Sequence, residues 1–84
     1  MVKVEYGEPY RTSFGKEEEK IKADTLGNLI NNIEEKYKGK DHVDTIMHHS
    51  MILLNNELFL SKNNLEYKLR PKDEILIIQF MTES

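Results

Sequence analysis

A chain of 84 residues has room for one domain, spanning 1–84, and buries only about 60% of the surface it exposes when unfolded. It has no cysteine, which excludes disulfides, thiolate metal sites and cysteine nucleophiles together and fits a reducing, cytoplasmic setting. The 12 basic and 15 acidic residues, net charge −3, alternate in sign along the chain, so the concentrated positive potential that nucleic acid requires is missing. The opening MVKVEYGEPY has no apolar stretch suited to a signal, and the longest apolar runs, Met51 to Leu54 and Ile75 to Ile78, are four residues each. Spanning a bilayer takes about 20. A soluble protein is expected.

Val2, Val4 and Tyr6 alternate with Lys3 and Glu5, the period of two of a strand with one packed face and one wet face. Gly7-Glu8-Pro9 breaks that pattern, and Tyr10 to Phe14 reads as either a short helical turn or an irregular loop closing at Gly15. Glu17-Glu18-Glu19, with lysines on both sides, reads as a solvated loop rather than as catalytic carboxylates. Ile21 and Ala23, alternating with Lys20 and Lys22, mark a second strand.

Asp24 or Thr25 supplies a helix cap. From there Leu26, Leu29, Ile30, Ile33 and Tyr37 form an apolar stripe opposite Asn28, Asn31, Asn32, Glu34, Glu35 and Lys36, and Gly39 is placed to end the helix. Val43, Ile46 and Met47 have helical spacing, consistent with a short second helix or a turn. Met51 to Leu54 is a third strand, Asn55-Asn56-Glu57 a turn, and Leu58-Phe59-Leu60 a short fourth strand. Leu65 and Leu69 anchor the next connection, Pro71-Lys72-Asp73 turns, and Glu74 to Phe80 is the last strand.

One amphipathic helix covers one face of such a sheet. The order therefore predicts an α+β fold, a β-grasp, in which a mixed sheet of four to five strands wraps one main helix with the first and last strands parallel at its centre.

Five stretches carry a family resemblance: the opening VKVEY, Phe14-Gly15 followed by acidic residues, Thr25-Leu26 with Leu29, Leu54-Asn55-Asn56, and Leu69 to Ile75 with its Pro71 and Asp73-Glu74. In order and spacing the chain resembles the MoaD/ThiS family, the ubiquitin-like sulfur carriers of molybdopterin and thiamine synthesis, over nearly its whole length. Members of that family end in a Gly-Gly tail whose carboxylate is adenylated and converted to a thiocarboxylate. Aligning Asp73-Glu74-Ile75 on the family's Asp-Glu-Val brings Glu83-Ser84 onto the two glycines without a gap.

The resemblance implies a tail threaded through a narrow channel to a nucleotide, a path that suits glycine. Glu83 brings a bulky charge beside phosphates, where desolvating it costs several kcal/mol. Gly7, Gly15, Gly27 and Gly39 are all isolated, so there is no internal Gly-Gly either. The expectation is a MoaD/ThiS-like module that binds another protein and no longer carries sulfur. The alternatives are a divergent sulfur carrier, a structural homodimer, and a terminus that is simply frayed.

A docking surface follows from the last strand, where Ile75 and Ile77 point one way and Leu76, Ile78 and Phe80 the other, with only one set able to meet the helix. The third strand is apolar on both faces too. A patch of Ile52, Leu54, Leu76, Ile78 and Phe80 is therefore expected on the face away from the helix, and such patches mark interaction sites. A covering loop or a second copy of the chain would also account for it. The resemblance adds the partners: an E1-like adenylating enzyme, a synthase large subunit or a metal-cofactor oxidoreductase.

His42, His48 and His49 lack the spacing and the acidic companion of a metal set. Ser13, Ser50 and Ser61 fit no triad, and no glycine-rich phosphate loop occurs. No catalytic residue, metal or cofactor is expected, and the chain is not read as an enzyme.

Overall fold

The computed structural model describes residues 1–79. The alternation in VKVEY becomes β1 (Val2–Tyr6), whose inward residues Val2, Val4 and Tyr6 are at most 1% exposed. After α1 (Tyr10–Phe14), which takes the helical option for that stretch, the chain forms β2 (Glu18–Ile21). This strand starts inside the acidic run and ends before Ala23, so the run expected to be a loop supplies half of an edge strand.

The stripe folds as α2 (Leu26–Lys36), with Leu26, Leu29, Ile30 and Ile33 at most 2% exposed. Thr25 caps it, its hydroxyl oxygen accepting from the Asn28 amide at 3.1 Å. The amides of Leu26 and Gly27 donate to the carbonyls of Tyr67 (3.0 Å) and Leu65 (2.8 Å). Free N–H groups of the first turn thus find partners in a distant loop. Leu65 acts through that carbonyl, its side chain being 39% exposed, whereas Leu69 is buried as expected. The helix ends at Lys36, and Gly39 follows in a left-handed turn at φ +88°.

A 3-10 turn (Val43–Thr45) runs into α3 (Ile46–His49), followed by β3 (Ser50–Leu54), β4 (Leu58–Leu60), a second 3-10 turn (Lys62–Asn64) and β5 (Glu74–Gln79). The five strands form one mixed sheet in the order β2-β1-β5-β3-β4. β1 and β5 are parallel at its centre, and the other neighbours are antiparallel.

Asn55 and Asn56 both take positive φ in the turn after β3, a conformation asparagine tolerates better than most residues. The Asn55 side chain also accepts from the Glu74 amide at 2.8 Å and donates to Asp73 Oδ1 at 3.1 Å. Two of the stretches that carry the family resemblance are thereby tied together at the start of β5.

Under the sheet, α2 shares one core with Val2, Val4, Ile52, Leu54, Leu60, Ile75 and Ile77, and burying each large aliphatic contributes roughly 1.5–3 kcal/mol. Ile52 and Leu54 are 2% and 5% exposed. They therefore leave the docking patch in which the sequence reading put them. The register explains why: Ile52 lies opposite Ile77 and Leu54 opposite Ile75, both inward-facing.

Candidate docking face

Pairing determines which residues share the sheet face turned away from α2. One row runs Glu18, Glu5, Leu76, Leu53, Phe59 across the five strands. Flanking it are Lys20, Lys3 and Glu74 on one side, and Ile78 with Met51 on the other. The face is thus divided, charged over β2 and β1 and apolar over β5, β3 and β4. On the charged half, Lys3 Nζ and Glu18 Oε1 lie 3.6 Å apart.

On the apolar half, Met51, Leu53, Leu76 and Ile78 are half-buried. Phe59 is 60% exposed, with Leu58 at 47% on the same edge strand. Of the five residues expected in the patch, Leu76 and Ile78 are on this face, Ile52 and Leu54 are in the core, and Phe80 lies outside the described residues, as do Glu83 and Ser84. Met51 and Leu53 take the places assigned to Ile52 and Leu54. Phe59 was missed; its alternation within the short fourth strand was the available signal, unusable without the hairpin register.

Gly7 continues β1 beside the apolar half, its amide donating to the Ile77 carbonyl at 2.8 Å. A Cβ there would come within 2.5 Å of Ile78 Cγ2. Glycine lets Ile78 lie against the backbone.

A second group hidden from sequence reading lies under the β2 end of the sheet. The Glu19 side chain is only 6% exposed. It accepts from the Tyr6 hydroxyl at 2.8 Å, from the Tyr37 hydroxyl and from Lys36 Nζ. Phe14 stacks on Tyr37 at 4.2 Å and meets Tyr6 edge-on at 5.2 Å. Burial by itself would raise the Glu19 carboxyl, but the bonds from Lys36, Tyr37 and Tyr6 and the Lys36 charge outweigh it and hold the group below the usual carboxylate range. Burial, then the bond and negative charge of Glu19, push the Tyr6 and Tyr37 hydroxyls well above the usual phenol range. Both carboxylate oxygens of Glu19 accept hydrogen bonds, and this arrangement joins β1, β2 and α2.

Among the described residues no three His, Asp or Glu side chains come together as a metal set. The rings of His48 and His49 stand 6.5 Å apart at the end of α3. No helix among the described residues is long and apolar enough to cross a membrane.

A five-stranded mixed sheet with parallel first and last strands over one main helix defines a ubiquitin-like β-grasp protein. The ThiS family model matches residues 4–82, and the chain belongs to that family of ubiquitin-like sulfur carriers, with Glu83-Ser84 where the resemblance places Gly-Gly.

Solved structures share the fold. The small archaeal modifier protein 1 of Methanosarcina acetivorans is similar with a TM-score of 0.80 and 18% identity, over 99% of this chain and 95% of that one. CysO of Mycobacterium tuberculosis, described as an antigen, gives 0.78 and 20%, over 96% and 100%. A chain of the Amycolatopsis orientalis BexX/CysO complex gives 0.77 and 17%, over 100% of both. No curated protein matches the sequence.

Proposed function

We propose that this ThiS-family chain is a protein-binding module that docks its partner on the apolar half of the outer sheet face, through Met51, Leu53, Phe59, Leu76 and Ile78. The observation that carries the reading is the doubling of apolar residues on β5 and β3 beside a β1 whose outer residues are Lys3 and Glu5. CysO is known in a complex with BexX, which supports a protein as the kind of partner. The candidates are an E1-like adenylating enzyme, a synthase large subunit or a metal-cofactor oxidoreductase, in a molybdenum, tungsten or thiamine-type pathway of the cytoplasm. The chain itself has no catalytic role in this reading.

In this reading docking, not sulfur transfer, is the role of the chain. The second reading, a divergent carrier, is favoured by the family match reaching residue 82. Two measurements separate them. Calorimetric titration of the E1-like enzyme with the native chain and with Leu76→Asp should give binding for the first and none for the second; equal affinities would rule out the docking face. Intact-mass spectrometry after incubation with that enzyme, ATP and a sulfur donor should show no thiocarboxylate, and its appearance would establish the carrier instead.

A further inference from the structure

The two edges of the sheet differ. β2 reads Glu-Glu-Lys-Ile, the charged composition that discourages pairing with another chain. β4, Leu-Phe-Leu, has no charge and, among the described residues, pairs with β3 only, leaving its other edge without a strand. A cavity of about 360 Å3 opens against β4, walled by Ile46, Met51 and Phe59 among others. That volume is at the small end of the range for ligand-binding clefts, roughly 300–1,000 Å3.

Four polar residues also line it: His48, Ser50, Ser61 and Lys62. The two serines are engaged within the fold. The Ser50 hydroxyl donates to the Ile46 carbonyl, and Ser61 Oγ accepts from the Asn63 amide at 3.2 Å while the Ser61 amide donates to Asn64 Oδ1 at 2.9 Å. Lys62 and His48 remain. Among the described residues the ion pairs are Lys3–Glu18 and Lys36–Glu19, so Lys62 is in neither, and no acidic side chain lines the cavity. An apolar slot with an uncompensated cation at its wall complements an apolar group followed by an anion.

We propose that β4 and this cavity bind an extended segment of another protein in which an aliphatic or aromatic side chain is followed by Asp or Glu. The segment adds as a strand along the open edge of β4, its backbone supplying hydrogen bonds and its side chains the choice of partner. The apolar side chain fills the space between Met51 and Phe59, and the carboxylate meets Lys62. This site shares Met51 and Phe59 with the outer face but is distinguished from it by the edge, α3 and Lys62, none of which belongs to the patch around Leu76 and Ile78.

The test is an amide-resolved NMR titration of the whole chain with the peptide acetyl-Thr-Val-Leu-Asp-Thr-amide, its Leu-Asn counterpart, and octanoate as a free amphipathic anion. Shifts are expected at Ser50, Met51 and residues 59–62. The Asn peptide should bind about two- to fivefold more weakly, in line with one solvent-accessible ion pair. Lys62→Glu should lose the preference for Asp over Asn, Lys62→Arg should keep it, and Leu76→Asp should leave it unchanged. Equal binding of the two peptides, or shifts located elsewhere, would overturn the proposal. Octanoate binding as tightly as the Asp peptide would overturn the strand, assigning the cavity to a small anion. Loss of binding in Leu76→Asp with none in Lys62→Glu would move the peptide to the outer face, overturning this site while leaving the docking face intact.

Discussion

β1 and β5 are neighbours at the centre of the sheet, each bonded to a strand on either side and each pressing its inward residues onto the same helix. Their outer faces nonetheless differ. β1 presents Lys3 and Glu5, while β5 presents Leu76 and Ile78, with Glu5 directly opposite Leu76. Because both strands have the same backbone surroundings, folding alone does not require the outer face of β5 to be apolar; the charged version beside it forms an equally regular strand. The apolar half is surplus to the core, and surplus apolar surface is what association uses.

Several experiments would break or sharpen that contrast. Ile77→Ala, on the inner face, should cost about 2–5 kcal/mol in urea denaturation, because it empties a site 0% exposed. A loss comparable to that of an outer-face change would erase the distinction between the two faces. Gly7→Ala tests the boundary between the halves. The added methyl meets the β-branched Ile78 at the stiff end of its side chain, and overpacking of this kind costs about 1–3 kcal/mol. A thermal melt unchanged by Gly7→Ala would mean that Ile78 is free to move away.

Glu19→Gln removes the charge joining the polar end of the sheet to α2 and should cost about 1–2 kcal/mol at neutral pH. Lys36 is half exposed, so most of that loss comes from the two tyrosine bonds rather than from the ion pair. The sign with pH follows from the lowered carboxyl. Its contribution is complete above the ordinary value of 4.5 and declines as pH falls below it through the lower folded value. Glu19→Gln should therefore narrow its deficit against the native chain in acid. The raised Tyr6 and Tyr37 hydroxyls act at the other limit, withdrawing stability as pH rises above 10.0. Denaturant midpoints from pH 3 to 11 would check both limbs. Phe59→Ser should have the smallest effect on folding, within about 0.5 kcal/mol, while weakening partner binding by more than about 1 kcal/mol if Phe59 is an anchor.

The sequence disclosed β1 and α2 because each has one polar and one apolar side, and periodicity then determines orientation. It failed on β3 for the opposite reason. With Met51, Ile52, Leu53 and Leu54 all apolar, nothing local distinguishes inward from outward, and pairing with β5 decides. Phe59 was lost to the same ambiguity, one strand further out. Glu19 was hidden in another way: its partners Tyr6, Lys36 and Tyr37 are 13, 17 and 18 residues away, and a glutamate between other glutamates has no local mark of burial. The tail positions Phe80, Glu83 and Ser84 remain statements about sequence alone.

The parallel pairing of β1 with β5 has a consequence for synthesis. Of the five strands, the one that unites the two halves of the sheet is made last, so until residues 74–79 are translated the only strand pairings open to a growing chain are β2-β1 and β3-β4. During that interval the edges of β1 and β3 both lie open, and closure joins segments far apart in sequence, a slow step compared with local pairing. Early aggregation during expression should therefore respond to charges placed on β3 more than to charges on β2.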